Sequence, residues 1–372
     1  MKFTVHKRDL VSTLTKIQGI TSSRRSNLAI TACILVKAES DSITIKATDL
    51  ETGFEGIFPA LVEIDGEVAI NSKKLLEIIR EFPEENICLY ESENRWIKIF
   101  GGKTEFNIMG MNPGDFPQLP ETSEAFFFEI GAQGLKKAMD KVTKIPPGGQ
   151  DDRRPYVHGV FFEHVETEAG TIVRLVSTDA KRLFLSDYFA ERTLPTWESC
   201  IIPKKGMAEA SRFMEDDAII QIAVHGNNLI VKKPTECMTI SLLDGDFPEY
   251  GDLTCPATES VIEVEIHPLL MTLKRMSILT TEMFKTVLFD LRNNTLTISA
   301  SNPEMGESME SLLLDFEREP IEVAFNPRFF MDALECIDDD KALMYIADKE
   351  NPCILEGITS KDFKAVIMPV KY

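Results

Sequence analysis

One short pattern is written three times along the 372 residues of this chain. Ile45-Lys46-Ala47-Thr48-Asp49, Leu175-Val176-Ser177-Thr178-Asp179 and Ile298-Ser299-Ala300-Ser301-Asn302 each set an alternating strand before a small hydroxyl residue and an Asp or Asn. A polar turn and a helix opener follow each time: Asn71-Ser72-Lys73-Lys74-Leu75, Pro203-Lys204-Lys205-Gly206-Met207 and Asn326-Pro327-Arg328-Phe329-Phe330. Gly114-Asp115-Phe116-Pro117 returns as Gly245-Asp246-Phe247-Pro248, whereas the third copy runs into the chain end at Met368-Pro369-Val370-Lys371-Tyr372. Asp49 and Asp179 lie 130 residues apart, and Asp179 and Asn302 lie 123 apart. Those periods are too long for solenoid units and match whole domains. The reading is three similar domains, 1–125, 126–257 and 258–372, each long enough for its own core.

Within each copy a strand leads into an amphipathic helix. Leu10, Val11, Leu14 and Ile17, then Leu135, Ala138, Met139 and Val142, then Leu269, Leu273 and Met276, all have i, i+3/i+4, i+7 spacing. Gly19 after the first helix and Pro268 at the first helical position in the third copy fit the usual asymmetry of helix ends. A second helix recurs with Leu75, Ile78, Ile79 and Phe82, with Met207, Ala210 and Met214, and with Phe330, Ala333, Leu334 and Ile337. Alternating strands such as Trp96–Phe100 and Leu229–Val231 lie between, and Gly101-Gly102 marks a turn between two of them. Two helices and many strands per copy give an α+β class, with helices packed on antiparallel sheets.

Several function classes fall away. Seven cysteines form an odd set with no C-x-x-C pair, and the five histidines lack metal-ligand spacing. Neither a G-x-x-x-x-G-K loop nor a G-x-G-x-x-G fingerprint is present. No catalytic residue, metal or cofactor is therefore expected, and none of the 60 acidic residues is tied by spacing to a base or nucleophile. No apolar run approaches the roughly 20 residues that span a bilayer, and Met1–Val5 opens as a strand rather than a signal peptide. The expected place is the cytoplasm, with no membrane partner.

The lysines give the first functional clue. Lys137, Lys141 and Lys144 stand at i, i+4, i+7, opposite the Leu135/Met139/Val142 stripe. Lys73 with Arg80 repeats an i, i+7 pair, Lys205 with Arg212 holds the equivalent places in the second copy, and Arg328 keeps the first place in the third. Exposed lysine is the default on any one helix, but recurrence at matching positions argues for a basic surface. The net charge of −20 argues the other way, since so acidic a chain cannot hold DNA tightly by counterion release over its whole surface. Both observations are met if the basic helices line a hole and acid covers the rest.

The combined motifs resemble the bacterial DNA sliding clamps, the beta subunits of the replicative DNA polymerase. The resemblance spans the chain and rests on Met1–Val5, Thr48-Asp49-Leu50-Glu51, Asp115-Phe116-Pro117, Thr178-Asp179, Arg182-Leu183, Asp246-Phe247-Pro248-Glu249-Tyr250, Ser301-Asn302-Pro303-Glu304, Phe325-Asn326 and Val366-Ile367-Met368-Pro369. It implies a homodimeric ring of six similar domains around duplex DNA, acting as a non-catalytic processivity factor. Phe106 and Ile108 would meet Ile278 and Leu279 at the subunit contact. A hydrophobic cleft between the second and third domains would take short motifs from the polymerase catalytic subunit, the clamp loader and repair proteins. Its residues would be Val157, Thr178, Arg182, Leu183, Pro248, Leu253, Asn326, Phe329, Val366, Met368, Pro369 and Val370. Candidates for phosphate contact are Arg24, Arg25, Lys73, Arg80, Lys137, Lys141, Lys144, Arg153, Lys204, Lys205, Arg212, Lys274 and Arg328, which would position DNA without reading sequence. Ala180-Lys181 stands where the family often has Gly-His, Gly251-Asp252 where some members carry a basic residue, and Tyr372 replaces an aliphatic end, so the preferred motif is left open. The rival reading is an acidic peptide-binding scaffold that does not encircle DNA.

Overall fold

A computed structural model describes residues 1–22, 28–149, 151–168, 170–190, 193–214, 218–258, 261–281 and 283–371. Two compact units emerge, 1–136 with 205–242, and 137–204 with 243–372. The first holds a five-stranded antiparallel sheet in the order Leu61–Ile64, Lys2–His6, Asn86–Glu91, Trp96–Gly101, Thr104–Met109. Its eight-stranded sheet runs Phe128–Gly131, Ile219–His225, Asn228–Lys232, Glu236–Ser241, Thr52–Pro59, Ser42–Thr48, Cys33–Glu39, Gly66–Asn71. The second unit has an eight-stranded sheet, Cys200–Pro203, Gly159–Thr167, Gly170–Thr178, Arg182–Phe189, Phe363–Ile367, Cys353–Gly357, Lys341–Tyr345, Ile262–Glu265. A four-stranded sheet, Gly306–Leu313, Thr295–Asn302, Val287–Arg292, Ile321–Phe325, completes it.

Each eight-stranded sheet is therefore shared between two sequence copies. Glu236–Ile240 pairs antiparallel with Thr52–Gly56, and Phe363–Ile367 with Arg182–Ser186. The second copy contributes strands to both sheets, which is why the compact units cut through it. Sharing removes two sheet edges that would otherwise present unpaired backbone groups to solvent.

The helices form where their apolar stripes predict. Lys7–Lys16 buries Leu10 and Leu14, and packs against Ser72–Glu81, which buries Leu75, Leu76 and Ile79. Ile266–Met276 packs in the same way against Pro327–Leu334. Two openers explain themselves: the Asn71 side chain accepts from the Lys74 N–H at 3.0 Å, and Asn326 from the Arg328 N–H at 3.0 Å. Such caps satisfy donors that have no partner inside the helix. Gly19 is not a helix terminator. It lies within the short helix Gln18–Thr21, and a Cβ there would strike the Glu209 carboxylate. Gly19 permits that close approach.

Candidate partner-binding and DNA-facing residues

The repeated Thr/Ser-Asp/Asn pair builds a self-sufficient turn. In the first copy the Thr48 hydroxyl accepts from Leu50 N–H at 3.0 Å, while one Asp49 oxygen accepts from Glu51 and Thr52 at 3.1 and 2.7 Å. The second copy repeats it: Thr178 accepts from Ala180, and Asp179 from Lys181 and Arg182, at 3.0 to 3.1 Å. Leu50 and Ala180 both adopt the left-handed backbone, with φ of 78° and 67°. In the third copy Asn302 accepts from Glu304 at 3.0 Å. These Asx turns explain why the residue types recur.

The remaining side-chain atom of each pair differs in partner. Asp49, buried at 3 % exposure, receives the ammonium of Lys205. Asp179 receives Arg182 Nε at 3.0 Å from its own turn, and Asn302 donates to the carbonyl of Leu279 at 3.0 Å.

Arg182 is the centre of the expected cleft. It is 5 % exposed, donates to Asp332 at 2.5 Å, and its guanidinium lies 4.4 Å from the Phe329 ring centroid. Leu183 and Val366 pair across the strands and join a buried cluster with Val176, Leu185 and Ile354, covered by Phe161, Phe247, Tyr250 and Tyr345. Phe161 stacks on Phe247 at 4.9 Å, and Tyr250 donates to Glu163. Burial, then that carboxylate, holds the phenol protonated well above its ordinary range. Val157 and Thr178 are also buried. The last strand stops at Ile367, after which Met368 N–H reaches Lys181 O at 2.9 Å and Val370 N–H reaches Ala324 O at 2.8 Å. The backbone of this tail is held while its side chains are not: Met368 and Val370 are 36 and 37 % exposed, and Leu253 is 42 % exposed. Pro248 is exposed, Pro369 and Phe329 are half-buried, and Asn326 caps the helix carrying Phe329. Of the twelve expected cleft residues, Val157, Thr178, Arg182, Leu183 and Val366 are buried, Asn326, Phe329 and Pro369 are half-buried, and Pro248, Leu253, Met368 and Val370 are exposed.

The basic residues need two corrections. Lys141 is not on an exposed ridge. It is 5 % exposed, with its ammonium 2.7 Å from both Asp338 and Asp362 and 5.6 Å from the Phe363 ring centroid. Lys204 is 3 % exposed and donates to the carbonyls of Thr178 and Pro146 at 3.0 and 3.2 Å. Neither ammonium faces solvent, because each is drawn into acceptors from distant parts of the chain. Lys73, Arg80, Lys137, Lys144, Arg153, Arg212, Lys274 and Arg328 are exposed, and Lys205 is half-buried on Asp49. Lys137 pairs with Asp338 at 2.9 Å, Lys144 with Glu335 at 3.0 Å, and Lys274 with Glu335 at 3.9 Å. Surface pairs of this kind exchange readily with other anions. Arg24 and Arg25 lie outside the described residues. The acceptors Asp332, Asp338 and Asp362 had no signal in the sequence, since each acts 150 or more residues from its partner.

Of the expected subunit-contact residues, Phe106 and Ile278 are 39 and 69 % exposed, and Ile108 and Leu279 are half-buried. Phe106 stands on the edge strand Thr104–Met109, so simple core packing does not account for it. Another edge strand, Gly306–Leu313, exposes Met309 and Leu313 at 73 and 91 %. Its apolar side chains were not anticipated from the sequence.

Profiles for the DNA polymerase III beta subunit match three consecutive stretches: the N-terminal domain over 1–120, the central domain over 129–249 and the C-terminal domain over 256–371. The chain belongs to the DNA polymerase III beta-subunit family. Beta sliding clamps of Chlamydia pneumoniae and Vibrio cholerae are each 28 % identical to it, covering all of this chain and 99 and 100 % of theirs. The crystal structure of the Caulobacter crescentus sliding clamp superposes with a TM-score of 0.90 at 24 % identity, covering 100 % of both chains. That of the Bacillus subtilis clamp gives 0.90 at 23 %, covering 100 % of this chain and 99 % of the other. The beta-subunit fold is therefore present along the whole chain, with three clamp domains of mixed α/β type. Beta sliding clamps are non-catalytic processivity factors of DNA polymerase, and this chain is a polymerase subunit of that kind. Among the described residues no helix is long and apolar enough to cross a membrane.

Proposed function

We propose that two copies of this chain close head to tail into a ring that encircles duplex DNA in the cytoplasm, with domain boundaries at 125/126 and 257/258. The observation that carries the ring is that two edge strands from different sheets expose apolar side chains. Thr104–Met109 and Gly306–Leu313 both end their sheets, and both expose apolar side chains. A long exposed apolar edge on a soluble protein calls for pairing. Pairing unlike edges of two copies is heterologous and closes by two-fold symmetry, with Phe106 and Ile108 against Ile278 and Leu279. Lys73, Arg80, Lys137, Lys144, Arg153, Arg212, Lys274 and Arg328 then serve as phosphate contacts, with Arg24 and Arg25 as further candidates, while Lys205 stays committed to Asp49. Lys141 and Lys204 are withdrawn from that set.

The polymerase catalytic subunit, the clamp loader and repair proteins dock in turn on the surface around Arg182. Leu253, Met368 and Val370 supply exposed apolar anchors there, and Met368 adapts to different partners through its unbranched thioether. Asp252 and Lys181 at the rim shift which flanking residues are preferred.

The test loads the protein onto nicked circular DNA with a clamp loader and ATP, washes, and then linearises the circle. A ring stays on the circle and leaves the linear form. Retention that ignores linearisation identifies a scaffold that binds without encircling.

A further inference from the structure

Lys204, lost to DNA, has surroundings that suit another role. Its two carbonyl acceptors lie on different segments, and each segment carries cleft residues. Thr178 opens the turn that bears Arg182 and Leu183. Pro146 opens the loop that leads to Val157, where Gly148 N–H donates to Val157 O at 3.1 Å and a Cβ on Gly148 would meet Val157 Cγ2 at 2.8 Å. Gly148 and Val157 are thus in direct contact, and the Lys204 ammonium joins Pro146, two residues before Gly148, to the turn at 3.2 and 3.0 Å.

We propose that Lys204 is a positioning residue for partner docking, its charged ammonium clipping the loop that ends at Val157 to the Thr178–Arg182 turn so that both sides of the cleft are held in register. This rests on the cleft reading given above. The clip is strongest while the lysine is charged, because hydrogen bonds from an ionised donor are roughly twice as strong as neutral ones. Burial pushes the Lys204 ammonium down to about 7, with Asp179 favouring the charged form and Arg182 opposing it. The other charged or titratable side chains on the packed elements are Lys181 on the turn, Asp151, Asp152, Arg153, Arg154, Tyr156 and His158 on the loop and its short helix, and Lys205, Glu209 and Arg212 on its own helix. Docking is therefore expected to weaken as pH rises through neutrality.

Fluorescence anisotropy of a labelled synthetic hexapeptide with Leu and Phe anchors and a Lys flank, titrated with the full-length protein from about pH 6 to about pH 9, reads this directly. Wild type is expected to lose about tenfold in affinity across that range, the scale of one hydrogen bond to a charged group. His158→Gln keeps the loss, and Lys204→Met binds weakly with a flat profile while retaining its circular dichroism. A flat wild-type profile, a loss that vanishes in His158→Gln, or wild-type affinity in Lys204→Met overturns the clip. If Lys204→Met does not fold, the wild-type and His158→Gln profiles decide. Absence of wild-type binding at every pH, or binding untouched by Arg182→Ala, instead overturns the cleft reading itself.

Discussion

The two seams between sequence copies use the same backbone and opposite chemistry. At the first, Thr52 and Gly53 face Ile240 and Thr239; at the second, Arg182 and Leu183 face Ile367 and Val366 in the same register. One residue further, Ser241 stands where Met368 stands. Apart from Ile240 the first seam is small and polar, and it is covered from within: a Cβ on Gly53 would meet Thr239 Oγ1 at 2.6 Å and Leu119 Cδ2 at 2.9 Å. The residue in Leu119's place in the second copy is Tyr250, which packs on Phe161 and Phe247 and with them against the cluster holding Leu183 and Val366. Identical strand pairing thus gives one joint covered by its own leucine and one covered by an aromatic cluster, with Met368 and Val370 exposed just beyond it. On the proposed function, side chains rather than topology make the second seam the docking surface.

The turns sharpen that contrast most. Asp49→Ala removes acceptors for two N–H groups and strands the Lys205 ammonium, whose partner carboxylate is almost fully buried. A cost of about 4 kcal/mol is expected. Asp179→Ala removes the same turn bonds, but Arg182 keeps Asp332, so about 2 kcal/mol is expected. Thermal unfolding of both variants measures the gap, and equal losses would mean that the Lys205 pair adds nothing.

Next comes the lysine behind the second seam. Lys141→Met takes the ammonium from Asp362 and leaves Asp338 with Lys137 alone, at an expected cost of about 2 kcal/mol after discounting for their partial exposure. The pH dependence carries a further signature. Desolvation pushes the Asp338 carboxyl up, but hydrogen bonds from Lys141 and Lys137 outweigh it and hold the group below its ordinary value. A depressed folded-state value gives stability that is present above the unfolded value of about 4 and is lost as pH falls through the folded one. Thermal midpoints across the acid range should show that loss in wild type and a smaller one in Lys141→Met.

These two cases also mark what could be read in the chain. The Asx turns were legible as a recurring pattern because their chemistry is local: an Asp or Asn accepts from the next residues whatever the rest of the fold does. The helices were legible for the same reason, since their stripes repeat within a few residues. Lys141 was not. Its i+4 spacing from Lys137 is that of a surface ridge, and only Asp338 and Asp362, about 200 residues away, draw it inward. Nor could strand alternation tell that Glu236–Ser241 completes a sheet begun by the first copy. Gly19 read as a helix end, whereas what it answers to is Glu209. Of the cleft, the sequence supplied the residues by resemblance, but not which of them are buried and which exposed.

Subunit contact should respond without any change in fold. Ile278→Asp places a charge on a side chain that is 69 % exposed in the single chain, so thermal stability of the monomer should move by less than about 0.5 kcal/mol. Burying that charge against an apolar partner strand is costly, and sedimentation should show a shift from dimer to monomer. An unchanged dimer would remove Ile278 from the contact and leave the Gly306–Leu313 edge to be tested through Met309.

The smallest effect belongs to the exposed lysines, and it tests whether their recurrence has functional meaning. Lys137 and Lys144 hold Asp338 and Glu335 in surface pairs, which are worth less than about 1 kcal/mol. Lys144→Gln should therefore leave stability almost unchanged. If Lys144 instead meets a phosphate when DNA is threaded, its loss lowers the salt slope of DNA association by about 1. Stability and salt slope thus separate the solvated helix face from the DNA-facing one. Lys205→Gln provides the opposite pattern, because its ammonium is already committed to the first seam: a clear fall in thermal midpoint with an unchanged slope. Should both variants alter the slope equally, Lys205 serves DNA as well as Asp49, and the first seam would be open to the ligand rather than closed on itself.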